Sequence, residues 1–183
     1  PGRAAVQPAF FARGDRPARA RRGARGRGKA WGQAGKDRGI AGHRRLIAAA
    51  KRRGAIALDA DTGDICWSQE YPAHYADLDY GSGPRANPTV ADGVVYTLGA
   101  VGTASAFDAN TGKILWQRDL RAQEKAIIPT WGLAASPLIL NDLVLLHAGL
   151  PNGSLVALDK KTGQERWRSL ADPAGYTAVD LAN

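Results

Sequence analysis

The residues of this chain that could do chemistry are few and scattered. Asp59-Ala60-Asp61-Thr62-Gly63-Asp64, with Glu70 eleven residues after Asp59, has the carboxylate density of a calcium loop. An EF-hand needs its glycine one position later than Gly63. Asn110 and Lys161 stand at the matching slot in two later copies, so turn chemistry explains Asp61 better and no metal site is expected. His43, His74 and His147 share no metal-ligand spacing, and His147, on an apolar stretch, is expected to pack in a core. Cys66, the one cysteine, reads as a small buried hydrophobe. No G-x-S-x-G elbow occurs. Gly23 to Lys29 imitates a phosphate loop, but Ala30 stands where Ser or Thr should hold magnesium. Asn152-Gly153-Ser154 matches a glycosylation acceptor by letters, but its hairpin position already accounts for it.

What does recur is structural. Ala57-Leu58-Asp59-Ala60-Asp61-Thr62-Gly63-Asp64-Ile65-Cys66-Trp67 returns as Ala106 to Trp116 and again as Ala157 to Trp167, the tryptophans lying 49 and 51 residues apart. Such a period belongs to stacked or radially arranged units. Within each copy an apolar pair, Asp, Thr-Gly and a segment closing on Trp read as strand, tight turn, strand. Asp59, Asp108 and Asp159 can accept from backbone N–H groups two residues on. Gly63, Gly112 and Gly163 can take positive φ, closing a type I turn with a bulge. Burying each Trp, at 150–250 Å², is worth roughly 4–6 kcal/mol gross, which requires a neighbouring unit to cover it.

A second block repeats upstream: Ala86-Asn87-Pro88-Thr89-Val90 and Ala135-Ser136-Pro137-Leu138-Ile139, with the prolines 49 apart. Each unit thus reads as four short antiparallel strands, the first opened by Pro. The extra two residues of the later unit fall in Leu150-Pro151-Asn152-Gly153-Ser154, where Asn-Gly suggests a type I′ hairpin. Leu46 to Ala49 would be the second strand of the first unit; a short basic helix from His43 to Arg53 is the alternative. Four strands per unit of about 50 residues predict an all-β fold built of propeller blades.

The triplicate A-[LF]-D-x-x-T-G-x-x-x-W pattern resembles the tryptophan-docking motif of the pyrroloquinoline-quinone (PQQ) repeat family of eight-bladed β-propellers, over roughly residues 42 to 183. The family includes quinoprotein alcohol and glucose dehydrogenases and a non-catalytic lipoprotein scaffold of the outer-membrane β-barrel assembly machinery. The resemblance implies that Trp67, Trp116 and Trp167, with Asp59, Gly63, Asp108, Gly112, Asp159 and Gly163, are blade-to-blade glue rather than chemistry. The alcohol-oxidising members add an adjacent-cysteine disulfide, calcium ligands from Asn and Glu, and a catalytic Asp. Cys66 alone cannot make that disulfide. PQQ with calcium is therefore implied only for a complete ring, and a binding or assembly scaffold is the preferred function. The alternative is part of a quinoprotein alcohol dehydrogenase. Family habit implies a periplasmic or other extracytoplasmic setting.

The formal net charge of +8 sums two unlike halves. Residues 1–54 hold 16 Lys and Arg against Asp15 and Asp37, a net +14; residues 55–183 hold 9 against 15 acids, a net −6. Residues 1–41, rich in Arg, Gly and Ala, form a basic leader expected to be disordered, and 42–183 the repeat segment. Arg21 to Gly28 would neutralise phosphates, but nucleic acid is not the expected partner; a solvated tail or sequence foreign to the fold is preferred. No apolar run serves a secretory signal or a transmembrane helix. A chain opening on Pro1 is expected to be a piece of a longer one, with further blades as its first partners and a protein as its second.

The links between units run from Tyr71 to Arg85 and from Asp119 to Ala134. Such links line the axial funnel of a propeller, and loops on a rigid scaffold are where function concentrates. Asp79, Tyr80, Arg85, Thr130 and Trp131 are the ligand-facing candidates. The bland alternative packs Tyr80 and Trp131 under their own loops and pairs Arg85 with Asp77 or Asp79. Two complete blades, a partial one and the start of another, from Asp172 to Val179, leave unpaired edges. A monomeric 42–183 polypeptide is expected to melt broadly at low temperature; a sharp two-state calorimetric transition would contradict this.

Overall fold

The computed structural model describes residues 46–51, 54–73, 75, 78 and 83–181, and the basic leader with its competing readings lies outside them. Three antiparallel sheets follow in chain order. The first holds β1 (Leu46–Lys51), β2 (Gly54–Asp59) and β3 (Ile65–Glu70). The second holds β4 (Thr89–Ala91), β5 (Val94–Leu98), β6 (Thr103–Asp108) and β7 (Ile114–Asp119). The third holds β8 (Leu138–Leu140), β9 (Leu143–Leu150), β10 (Gly153–Asp159) and β11 (Glu165–Ser169). Strands adjacent in sequence are neighbours in each sheet, as four-stranded blades require. β1 is extended and pairs with β2 from Leu46↔Asp59 to Lys51↔Gly54, which rules out the basic helix there.

Register repeats as strictly as sequence. Ala57, Ala106 and Ala157 lie opposite Trp67, Trp116 and Trp167, and each pairing is followed by a register shift. These alanines are almost fully buried, at 1%, 0% and 0% exposure. A methyl group across the strand leaves room for an indole to lie along the sheet face.

The cores sit between sheets. Ala55, Ala57 and Trp67 of the first pack against Val95, Phe107 and Ala109 of the second. Tyr96, Leu98, Ala106 and Trp116 on the other face of the second meet Val144, Leu146, Val156 and Leu158 of the third. Near the opening strands, the Asn87 backbone N–H donates to Ser136 Oγ (3.1 Å) and the Thr89 hydroxyl donates to the Pro137 carbonyl. Cys66 and His147 are only half-buried, against expectation: Cys66 lies at the margin of the first cluster, and His147 has Gly175 of the chain's last described segment beside it.

Three further details depart from the sequence reading. The second link contains a short helix, α1 (Leu120–Glu124), whose Asp119 Oδ1 accepts from the Ala122 N–H (2.9 Å), and Leu120 is fully buried. The turn before Gly153 is not type I′. Gly153 pairs with Leu150, so its two central residues are Pro151 and Asn152, and only Asn152 (φ 59°) is left-handed. Proline's ring fixes φ near −65°, which gives the negative-then-positive sequence of a type II turn. Finally, residues 171–181 form no strand; no described strand stands beside them to complete a ladder.

Equivalent leucines differ in cover, since Leu158 is 0% exposed whereas Leu58 is half-buried. Leu158→Ala should cost about 2–5 kcal/mol and Leu58→Ala about 1 kcal/mol; urea midpoints of the two variants check this.

Candidate functional site

Each docking turn is closed by its own aspartate. Asp59 Oδ1 accepts from the N–H groups of Asp61 (3.0 Å) and Thr62 (3.2 Å). Asp108 repeats this with Asn110 (3.1 Å) and Thr111 (2.8 Å), and Asp159 with Lys161 (3.0 Å) and Thr162 (2.9 Å). Gly63, Gly112 and Gly163, with φ of 74°, 72° and 70°, donate back to the Asp carbonyl. The Thr111 hydroxyl bonded to Asp108 holds that carboxyl below its ordinary value, and Arg166 followed by Thr162 does the same for Asp159.

The turn of one sheet is the seat for the indole of the sheet before. Trp67 Nε1 donates to the Ala109 carbonyl at 2.7 Å, with Phe107 at 5.9 Å between ring centroids. Trp116 Nε1 donates to the Lys160 carbonyl at 2.9 Å. A β-carbon on Gly112 would stand 2.6 Å from the Trp67 ring, and one on Gly163 equally close to Trp116, so the ring occupies the space where a side chain would be. Trp167 differs: it is 42% exposed, because no described sheet follows β11.

The opposite end of the sheets carries the links. Strand order places the β5–β6 and β9–β10 connections there, and backbone bonds tie the second link to them: Leu120 N–H to Gly102 O, Leu133 N–H to Ala100 O, Ile127 N–H to Gly149 O. Pro129-Thr130-Trp131-Gly132 is a tight turn, closed by the Gly132 N–H on the Pro129 carbonyl, with fully buried Leu133 anchoring it. Trp131 therefore projects from a fixed base and is 48% exposed. Its carbonyl accepts from Arg85 Nε (2.9 Å), and its ring stacks on Tyr176 at 5.1 Å and 32°. Three consecutive links thus converge at Arg85, Trp131 and Tyr176. Thr130 is exposed beside them. Asp79 and Tyr80, like Asp77, lie outside the described residues.

Tyr176 escaped selection from sequence because nothing local marks it; only its neighbour Trp131, 45 positions back, does. A separate cleft of about 370 Å³ lies between Pro72, Ala73, Val101, Thr103 and the start of α1, without a contribution from the aromatic pair. Next to it, burial, helped by the nearby Tyr75, pushes the Tyr71 hydroxyl up to about 12, which keeps it neutral. Among the described residues no three His, Cys, Asp or Glu side chains converge as cation ligands. No helix among them is long and apolar enough to cross a membrane.

Consecutive antiparallel sheets, two of them four-stranded, with indoles seated on the next sheet's Thr-Gly turn are the architecture of a PQQ-type β-propeller. A family model described as outer membrane protein assembly factor BamB matches residues 18–183, and the chain belongs to this PQQ-repeat family. The match begins inside the basic leader. Among solved structures, BamB from Moraxella catarrhalis is 28% identical with a TM-score of 0.52, over 72% of this chain and 36% of that one. The quinohemoprotein alcohol dehydrogenase from Comamonas testosteroni is 22% identical, TM-score 0.55, over 68% and 19%. A computationally designed protein, Ika4, is 15% identical, TM-score 0.51, over 77% and 76%. The last two likenesses are of fold alone. The chain spans about a third of the length of the BamB structure and about a fifth of the dehydrogenase. No curated protein matches.

Carboxylates held below their ordinary value stabilise the fold above that value, and the contribution is lost as pH falls through the depressed one. Both turn aspartates, normally near 3.8, are of this kind. Stability in urea should therefore fall on acidification below about pH 4, and Asp159→Asn should flatten that acid limb while lowering stability at pH 7.

Proposed function

We propose that this chain is part of a non-catalytic propeller scaffold that holds a protein partner on its link face, outside the cytoplasm. One observation carries the reading: Trp131, on a link tied by backbone bonds, packs its exposed ring against the exposed ring of Tyr176 beside Arg85. Trp, Tyr and Arg are the residue types that dominate binding energy at protein interfaces. A tryptophan held on a hydrogen-bonded turn loses little freedom on docking. Membership of a family named for an outer-membrane assembly factor supports both the partner class and the setting. The docking turns at the other end serve cohesion between sheets.

The competing reading, part of a quinoprotein alcohol dehydrogenase, rests on likenesses at 22% and 25% identity, each over 19% of the dehydrogenase chain. The two separate cleanly at the bench. Titrating the chain against detergent-solubilised outer-membrane assembly complex should show saturable binding, and Trp131→Ala or Tyr176→Ala should weaken it by about 30-fold, the scale of an interface hot spot. Stoichiometric tight uptake of PQQ with Ca²⁺ by the same protein, seen as a spectral shift, would defeat the scaffold reading.

A further inference from the structure

We infer, building on the reading of the aromatic pair as a docking surface, that Glu124 is its positioning residue. The carboxylate, clamped between arginines of the second and third sheets, sets the spacing of the junction across which Trp131 meets Tyr176. Each ring is seated on a different sheet. The Trp131 turn rests on the second, where the Leu133 N–H bonds the Ala100 carbonyl and a β-carbon on Gly132 would stand 2.9 Å from Ala100. The Tyr176 segment rests on the third, where a β-carbon on Gly149 would stand 2.9 Å from Ala174 and one on Gly175 would stand 3.5 Å from His147. The 5.1 Å between ring centroids therefore depends on how far apart the two sheets stand at the link end.

The clamp lies on that same junction. Register puts Arg118 opposite Ala104 and Arg168 opposite Val156, on the two faces that pack together in the core between these sheets. Two guanidinium groups so placed repel one another. Glu124, at the end of α1 with its side chain 11% exposed, answers both: Arg118 Nη2 donates to its Oε1 and Arg168 Nη2 to its Oε2, the latter at 2.9 Å. Neither arginine swings freely. Arg118 also reaches the Gly163 carbonyl (2.9 Å), and the Arg168 stem lies over Gly153, where a β-carbon would meet it at 2.6 Å. Directly after Glu124, Lys125 turns left-handed (φ 58°) and the Ile127 N–H bonds the Gly149 carbonyl, so a short tied run joins the clamp to the Trp131 turn.

The repeat itself does not require this arrangement. At the first junction Gln69, Gln117 and Tyr75 stand where Arg118, Arg168 and Glu124 stand at the second, and Ser82 stands in place of Trp131. Three charges and one indole thus enter the sequence together, at one junction. Removing the carboxylate leaves two partly buried cations facing each other without compensation, which favours a wider junction.

The full chain, labelled with 5-fluorotryptophan, tests this by fluorine NMR, with the Trp131 resonance assigned through Trp131→Phe. Tyr176→Leu marks where that resonance lies once the ring contact is lost. Glu124→Gln, which keeps the shape and removes the charge, should move the Trp131 resonance toward that position and leave the Trp67 resonance in place. Adding Arg118→Gln relieves the repulsion and should restore it, a rescue that general loosening would not give. Affinity for the solubilised assembly complex should fall about tenfold in Glu124→Gln, as for a binding-competent geometry cut to about a tenth of its population, and recover in the double variant. Should Glu124→Gln fail to fold, Glu124→Asp, which withdraws the charge by one methylene, should displace the same resonance. An unmoved Trp131 resonance, a displaced one that Arg118→Gln does not restore, or wild-type affinity in Glu124→Gln overturns the inference. A wild-type chain that does not bind the complex while the resonances behave as stated overturns the docking reading alone and leaves the positioning role standing.

Discussion

The structure depends on an indole taking the place of a side chain. Where Gly112 and Gly163 have no β-carbon, Trp67 and Trp116 lie against bare backbone and reach a carbonyl with the ring N–H. Two requirements meet there: a large apolar ring must leave water, and its one polar group must find an acceptor. The carbonyl two residues before Thr satisfies the second because the aspartate has wrapped the turn around it. The same turn that ends one hairpin therefore fixes the angle of the sheet before it.

This explains why the fold was legible and the site less so. The docking motif works through contacts of two to five residues, so Asp59, Gly63 and Trp67 and their copies announce strand, turn and strand in the sequence itself. The strand at Leu46–Lys51 followed from counting back one period. Helix α1 did not, because Leu120 is held by burial in the core between the second and third sheets, although Asp119 ahead of Leu-Arg-Ala-Gln-Glu is a cap signal. The turn at Asn152 was misread by letting the Asn-Gly pair outweigh Pro151, whose ring excludes the geometry. Arg85 and Trp131 were singled out from their place in links, but their meeting, and Tyr176 beside them, is set by how the sheets stand next to one another.

The two ends of the sheets divide the labour. At the turn end, bonds within each hairpin repeat with little variation, as cohesion demands. At the link end the links differ: the second carries both α1 and the Pro129–Gly132 turn, and the third the Gly175-Tyr176 pair. A scaffold tolerates variation where its backbone is tied only at intervals, and there a binding surface can be composed from side chains far apart in sequence.

Lys160 makes the two junctions mechanically unequal. Its carbonyl takes both the Trp116 indole and, at 3.4 Å, the Tyr96 hydroxyl, while its ammonium bridges Asp92 (3.0 Å) and the Asn141 carbonyl (2.7 Å). Arg118 adds a bond to the Gly163 carbonyl and, through Glu124, a link to Arg168. The matching positions at the first junction are Ala109 and Gln69, which have no cation to offer. Tension applied along the chain would thus part the first sheet from the second before it touched the seam between second and third, and amide exchange would travel inward from that same side.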